Sequence, residues 1–109
     1  MATTYKRLGA IQSSGVIGTA DTLYTASSGV IVSSIVVCNT AASVATFRLG
    51  ISTTTSFSTA GYLVYGTSVP ANDSVFLNIA VTLDATNKYL LCSASASTVS
   101  FSAFGGEIT

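Results

Sequence analysis

The sequence predicts an all-β fold, a single-domain antiparallel β-sandwich of about eight strands. Val, Ile, Thr, Tyr and Phe, which suit a pleated and half-buried surface, are spread along all 109 residues. No window has the sustained apolar repeat of a helix, and short alternating segments recur at regular intervals between turn signals. A chain of this length forms one domain, residues 1–109, and its topology could be a jelly roll or immunoglobulin-like.

The first five strands are predicted from alternating β-formers bounded by Ser, Gly and Asn. They cover residues 8–17, 22–26, 30–39, 44–51 and 62–69. The turns between them include Ser27-Ser28-Gly29 and Asn39-Thr40-Ala41, where small or Asx side chains favour a reversal of the backbone.

The clearest strand covers residues 74–83 and follows the turn Pro70-Ala71-Asn72-Asp73. Alternation over all ten positions places one apolar set on one face: Val75, Leu77, Ile79, Val81 and Leu83. After a second Asx turn at residues 84–87, we expect a final hairpin of residues 88–94 and 98–103. Gly105-Gly106 indicates a turn or a frayed end.

Residues 52–60, STTTSFSTA, form a polar low-complexity stretch around one apolar residue, Phe57. The stretch predicts either an ordinary exposed loop or a contact tip, because loops on a rigid β scaffold often bind partners.

Composition limits the functions that the chain can have. Ser, Thr and Ala supply 47 residues, whereas Lys, Arg, Asp and Glu supply eight, or 7% against about 25% in an average domain. Four basic residues cannot form the stripe that nucleic-acid binding needs, and no apolar run approaches the length of a membrane span. The N-terminal sequence also lacks the apolar core of a signal peptide. With so little charge, we expect a surface that a partner covers.

Nothing in the sequence indicates catalysis, so we expect neither an enzyme nor a binder of a small-molecule substrate, cofactor or metal. The chain has no His, which excludes imidazole-based triads and metal sites. Asp21, Asp73 and Asp84 lie in or beside turns, where Asp serves the backbone. Cys38 and Cys92 either form a disulfide or, as the absence of an export signal favours, stay reduced as small apolar groups.

Several short strings resemble those of small virion proteins of tailed bacteriophages: residues 5–9 (YKRLG), 22–25, 36–42, 45–48, 71–75 and 84–104. The resemblance implies a β-sandwich structural protein of the particle, of the capsid decoration (cement) type. Such a protein is made in the host cytoplasm, forms a homotrimer and binds the major capsid protein on the outer surface of the mature head. The alternative is a tail, baseplate or fibre module that recognises the host surface. In that case Tyr62 and Tyr65 are further candidates for residues that contact that surface.

The candidate partner-binding residues are the N-terminal segment, one arginine and the loop aromatic: Thr3, Thr4, Tyr5, Lys6, Arg7, Leu8, Arg48 and Phe57. Residues 1–8 could form an arm that adds a strand to a neighbour, or the first strand of the sandwich with solvated Lys6 and Arg7. Arg48 alternates with Phe47 and Leu49 and should therefore point outward, as a contact or as an ordinary exposed charge.

Overall fold

The computed structural model describes residues 3–108 and confirms an all-β chain. Its eight strands and one short 3-10 turn are β1 (Thr3–Gln12), β2 (Asp21–Thr25), β3 (Val30–Asn39), β4 (Ala45–Ser52), a 3-10 turn (Thr59–Gly61), β5 (Tyr62–Val69), β6 (Asp73–Leu83), β7 (Tyr89–Ala94) and β8 (Val99–Ile108). No helix in this part of the chain is long and apolar enough to cross a membrane.

The strands form two four-stranded sheets. Sheet A has the order β1-β8-β3-β6 and sheet B the order β2-β7-β4-β5. The predicted final hairpin of residues 88–94 and 98–103 was therefore wrong, because β7 and β8 lie in different sheets. Antiparallel pairs join β1 to β8, β2 to β7, β3 to β6 and β4 to β5, so the chain is one long hairpin rolled into two layers. This arrangement is a jelly roll, which decides between the two predicted topologies.

Alternating side chains from both sheets fill the space between the layers. Phe47 of β4 and Phe101 of β8 are fully buried and meet edge to face, with ring centroids 6.1 Å apart. Aliphatic residues of both sheets surround them: Val30, Val32, Ile35, Val37, Leu49, Val69, Leu90 and Val99. The predicted alternation of β6 is present, with its apolar set packed toward this core.

The predicted bounds of the first strand were wrong. It covers Thr3–Gln12 instead of residues 8–17, because the backbone turns at Ser13. The Ser13 hydroxyl accepts hydrogen bonds from the amides of Gly15 and Ala94, and Gly15 adopts a φ of +88°. The chain therefore leaves sheet A five residues earlier than the pattern predicted.

The prediction for Gly105-Gly106 was also wrong, since both residues belong to β8, which continues to Ile108. A Cβ on Gly105 would overlap the backbone oxygen of Ile31, and Tyr5 packs against the space beside Gly106. The two glycines let neighbouring groups approach the strand closely, a role that strand glycines often have.

The two sides of the sandwich, where edge strands of the two sheets are neighbours, differ in how closely the sheets pack. On the β1–β2 side, Gly9 lies directly against the backbone oxygen of Leu23, so the two sheets touch through their main chains. Nearby, Lys6 forms an ion pair with Glu107, with 2.7 Å between Nζ and Oε1, and the Tyr24 hydroxyl donates to the same carboxylate. On the β5–β6 side, the inward aliphatics of β6 remain half-buried.

Cys38 and Cys92 are both free thiols, so the disulfide alternative is excluded. Cys92 points into the core from sheet B, whereas Cys38 alternates with the buried residues Val37 and Asn39 and points out of sheet A. Burial raises the pKa of the Cys92 thiol well above its ordinary value, with a smaller contribution from the charge of Asp21.

Candidate interaction surfaces

The outer face of sheet A is exposed to solvent. Strand register places Tyr5 beside Gly106 and Ile31, Arg7 beside Phe104, and Phe76 beside Val36. All of these side chains point away from the core, because their neighbours along each strand point inward. The exposed fraction is 76% for Tyr5 and 70% for Phe76.

Half of the large apolar residues that the described chain exposes lie on this one face: Tyr5, Ile31, Phe76 and Phe104. The rest of the face has mostly small side chains, many of them polar, such as Ser74, Ser100 and Ser102. Among the outward-facing residues of the four described strands, Arg7 on the edge strand β1 is the one that carries a charge. A shallow depression of about 340 Å³ crosses the Arg7 end, lined by Tyr5, Lys6, Arg7, Ser33, Phe104 and Gly105.

Two loops of the chain itself cover part of the outer face of sheet B, over β7 and Gly50 of β4. Leu91 points outward from β7 and is nonetheless fully buried. The Ser93 hydroxyl, also on this face, donates to the backbone oxygen of Ile17 in the β1–β2 loop at 2.6 Å. Phe57 of the β4–β5 loop lies directly over Gly50. The two sheets therefore differ, since loops cover part of the outer face of sheet B, where the exposed large apolar residues are on β5.

An aromatic cluster lies beside the covered part of sheet B. Phe57 stacks on Tyr62 with centroids 5.0 Å apart, and Tyr62 meets Tyr65 edge to face at 4.8 Å. The Arg48 guanidinium carbon lies 4.1 Å from the centre of the Tyr65 ring. Arg48 and Tyr65 thus form a cation–π pair, and Tyr62 packs against the Tyr65 ring.

The predicted contact residues fall on two parts of the molecule, β1 and the aromatic cluster. Residues 1 and 2 of the proposed arm lie outside the described residues, whereas Thr3–Leu8 take the other position considered for them, as the first part of edge strand β1. Arg48 and Phe57 come together in the aromatic cluster on sheet B. Lys6 does not lie free in solvent, because it is paired with Glu107.

Sequence reasoning missed Ile31, Phe76 and Phe104 as surface residues. The alternation within their strands contained the signal, because each is a large apolar residue on the face opposite the core. A large apolar residue at an outward position of a clearly alternating strand indicates a face that is covered or that binds a partner.

Three ionisable side chains at the surface have displaced pKa values. The hydrogen bond from Lys6, helped by that from Tyr24, lowers the pKa of Glu107. Burial and the Glu107 carboxylate raise the pKa of Tyr24 to about 12. The backbone amides of Asn87 and Thr86 lower the pKa of Asp84, in the Asx turn predicted there. Over residues 3–108, no group of three or more His, Cys, Asp or Glu residues is placed to hold a metal ion.

No protein-family model and no curated protein sequence matches the chain. Solved structures with a similar fold include the infectious bursal disease virus Gx strain (12% identity, TM-score 0.49) and Gt strain (11%, 0.47), and the cyanophage Pam1 capsid asymmetric unit (18%, 0.48). The matches cover 95–97% of this chain. This chain spans about a third of the two bursal disease virus chains, at 31% and 30%, and 85% of the cyanophage chain. With TM-scores below 0.5 and identities below 20%, these likenesses establish neither a family nor a function.

Proposed function

We propose that the chain is a virion structural protein, a capsid decoration (cement) protein that acts by adhesion. It binds the mature head lattice from outside, as a homotrimer, and stabilises the lattice by bridging neighbouring subunits of the major capsid protein. The observation that carries the proposal is the exposed outer face of sheet A. The sequence resemblance to small phage virion proteins and the jelly-roll topology, which recurs in viral capsid proteins, support it.

The size of this face is appropriate for stable attachment. Four strands about 4.8 Å apart and ten residues long give a plan area of roughly 600 Å². A corrugated face has a larger accessible area than its plan area, and a specific interface buries about 800 Å² on each partner. Sheet A thus supplies close to one standard interface per copy, and several copies on a symmetric shell add avidity.

Adhesion through this face has a small electrostatic cost. Burying a charge that finds no partner is expensive, and the outward residues of the face's described strands include only one charge, Arg7 on the edge strand β1. Its Ser and Thr side chains lose little rotamer entropy when they are ordered. Because the protein binds the expanded lattice preferentially, mass action raises the stability of that lattice.

The test is cosedimentation of the purified protein with expanded, DNA-free heads of the phage that encodes it. We expect the wild type to pellet with the heads and Phe76→Lys to bind at least about tenfold more weakly, because it buries a charge in the contact. Val44→Lys is the matched control, since Val44 is 64% exposed in the β3–β4 loop and immediately precedes β4 of sheet B. Equal binding by both variants, or binding to isolated tails alone, would overturn the proposal.

A tail, baseplate or fibre module is the second candidate. The aromatic cluster of Phe57, Tyr62 and Tyr65 favours it, because supported aromatic rings at a surface present a flat apolar area with polar tips. Removing Phe57 would then abolish adsorption to the host cell and leave the stability of heads unchanged.

A further inference from the structure

The acidic side chains of the molecule accept hydrogen bonds within the chain, whereas most of the basic side chains have no carboxylate partner among the described residues. Each of its carboxylates accepts hydrogen bonds within the chain: Asp21 from the Ser14 amide, Asp73 from the Ser74 amide, Asp84 from the amides of Thr86 and Asn87, and Glu107 from Lys6 and Tyr24. Among the basic residues, Lys6 alone has a carboxylate partner within residues 3–108. Arg48 is therefore a cation without a counter-charge in the part of the chain that is described.

The geometry of Arg48 restricts where a negatively charged group could bind to it. Its guanidinium lies over the Tyr65 ring, and its Nε is buried without a hydrogen-bond partner among the described residues. The two terminal nitrogens are not among the buried atoms that lack a partner in the described residues. An incoming group would meet the end of the guanidinium, which presents two parallel N–H donors and suits a carboxylate.

The surroundings of Arg48 narrow the class of ligand. No second cation lies beside it, because Lys88 is near the start of β7 and Arg7 is on the opposite sheet, so a polyanion such as nucleic acid would find one charge only. The neighbouring edge strand β5 is irregular, with two register shifts and Gly66 at a φ of +83°, which makes it a poor template for an added peptide strand.

The nearby features fit a saccharide better. Tyr65 is 65% exposed and is supported by Tyr62 and Phe57, which gives a rigid aromatic platform next to the charge. Ser52 lies four residues from Arg48 along β4, about 13 Å away. It lines a cavity of about 210 Å³ together with three other residues that have hydroxyl or amide side chains, Thr53, Ser58 and Asn87.

We propose that Arg48, Tyr65, Tyr62 and Phe57 form a binding site for a saccharide that carries a carboxylate group. Arg48 binds the carboxylate through its two terminal nitrogens, and the exposed aromatic surface contacts a sugar ring. The site lies on sheet B, opposite the proposed shell-binding face. It therefore does not depend on attachment to the head, and it would remain accessible on a decorated particle.

Binding is measured by calorimetry with a panel of uronic-acid and sialic-acid oligosaccharides, each paired with its methyl ester. The ester keeps the rings and the hydroxyl groups and removes the charge. For at least one pair, we expect the wild type to bind the acid about tenfold or more tightly than the ester. Arg48→Gln should remove this preference, and Arg48→Lys should restore only part of it, because an ammonium lacks the planar fork.

Two further variants test whether a change in saccharide binding is specific to the Arg48 site. Lys88→Gln removes another cation that lies over a tyrosine ring, 5.4 Å from the centre of Tyr89, and should leave saccharide binding unchanged. Tyr65→Ser should weaken binding of acid and ester alike, and it provides a second test if Arg48→Gln does not fold. Arg48→Gln should still cosediment with heads as the wild type does, so the shell contact is tested separately.

The proposal is overturned if no acidic saccharide of the panel binds or if acids and esters bind equally. It is also overturned if Arg48→Gln folds and binds like the wild type, or if a Glu-rich peptide of equal charge binds more tightly than every saccharide.

Discussion

Gly9 is a single residue on which the spacing of the two sheets depends. A Cβ at this position would overlap the backbone oxygen of Leu23, and a backbone atom cannot move aside as the end of a flexible side chain can. The contact joins β1 of sheet A to β2 of sheet B on one side of the sandwich. A methyl group here would therefore separate the two edge strands.

We expect Gly9→Ala to lower the free energy of unfolding by about 1–3 kcal/mol, the usual cost of inserting a methyl group into close packing. Gly18→Ala is the matched control, because a Cβ at Gly18 meets nothing within 4 Å. That variant should be neutral or slightly stabilising, since it reduces the entropy of the unfolded chain. Urea unfolding of the three proteins measures the difference, and equal losses in both variants would contradict this account of Gly9.

At the scale of the strands, the Lys6–Glu107–Tyr24 network links β1, β8 and β2. Glu107 has a lowered pKa in the folded protein, chiefly through the hydrogen bond from Lys6. A carboxyl group whose pKa is lowered on folding stabilises the protein at pH values above its unfolded pKa. This contribution is lost as the pH falls through the folded pKa.

Lys6→Met should therefore flatten the decrease in stability of the protein as the pH falls below about 5. Asp84, whose pKa is also lowered, contributes equally to both proteins and does not affect the comparison. Lys88→Met, which removes a lysine that has no carboxylate partner among the described residues, is the control and should keep the wild-type slope. Urea unfolding at a series of pH values gives the two slopes, and parallel curves for Lys6→Met and the wild type would refute the role of the network.

The strands could be predicted from the sequence wherever alternation was uninterrupted. β3 begins and ends where the pattern predicted, and β6 differs by one residue, because period-two burial needs only local information. β5 also has its predicted bounds, although burial does not alternate in its second half. The ends of β1 and β8 could not be predicted. The position of β1 depends on contacts of Ser13 with distant residues, and Gly105 is required by the passage of Ile31, 74 positions earlier in the chain.

The candidate surfaces could be predicted only in part, for the same reason. Alternation with Phe47 and Leu49 placed Arg48 on an outward face, and the structure has it there. The sequence could not indicate that Tyr65 lies under its guanidinium, because β4 and β5 pair through two register shifts. It also could not indicate that loops cover part of sheet B and leave sheet A open, since this depends on how the two loops fold back.

At the scale of the whole molecule, the two outer faces have different properties. Sheet A is open, weakly charged and bears four large exposed apolar residues, whereas sheet B is partly covered by the chain's own loops and carries the Arg48 cluster. A monomer with such an open apolar face is expected to use it for association. The proposed role on a capsid gives that face a partner and leaves sheet B directed outward.

The most direct test is cryo-microscopy of heads saturated with the purified protein, at a resolution that separates the two sheets. We predict density on the outside of the head in which Tyr5 and Phe76 of sheet A face the shell and the Arg48 cluster of sheet B faces solvent. Density on the tail alone, or a head-bound chain whose sheet A is open to solvent, would contradict the proposal that this face holds the protein on the capsid.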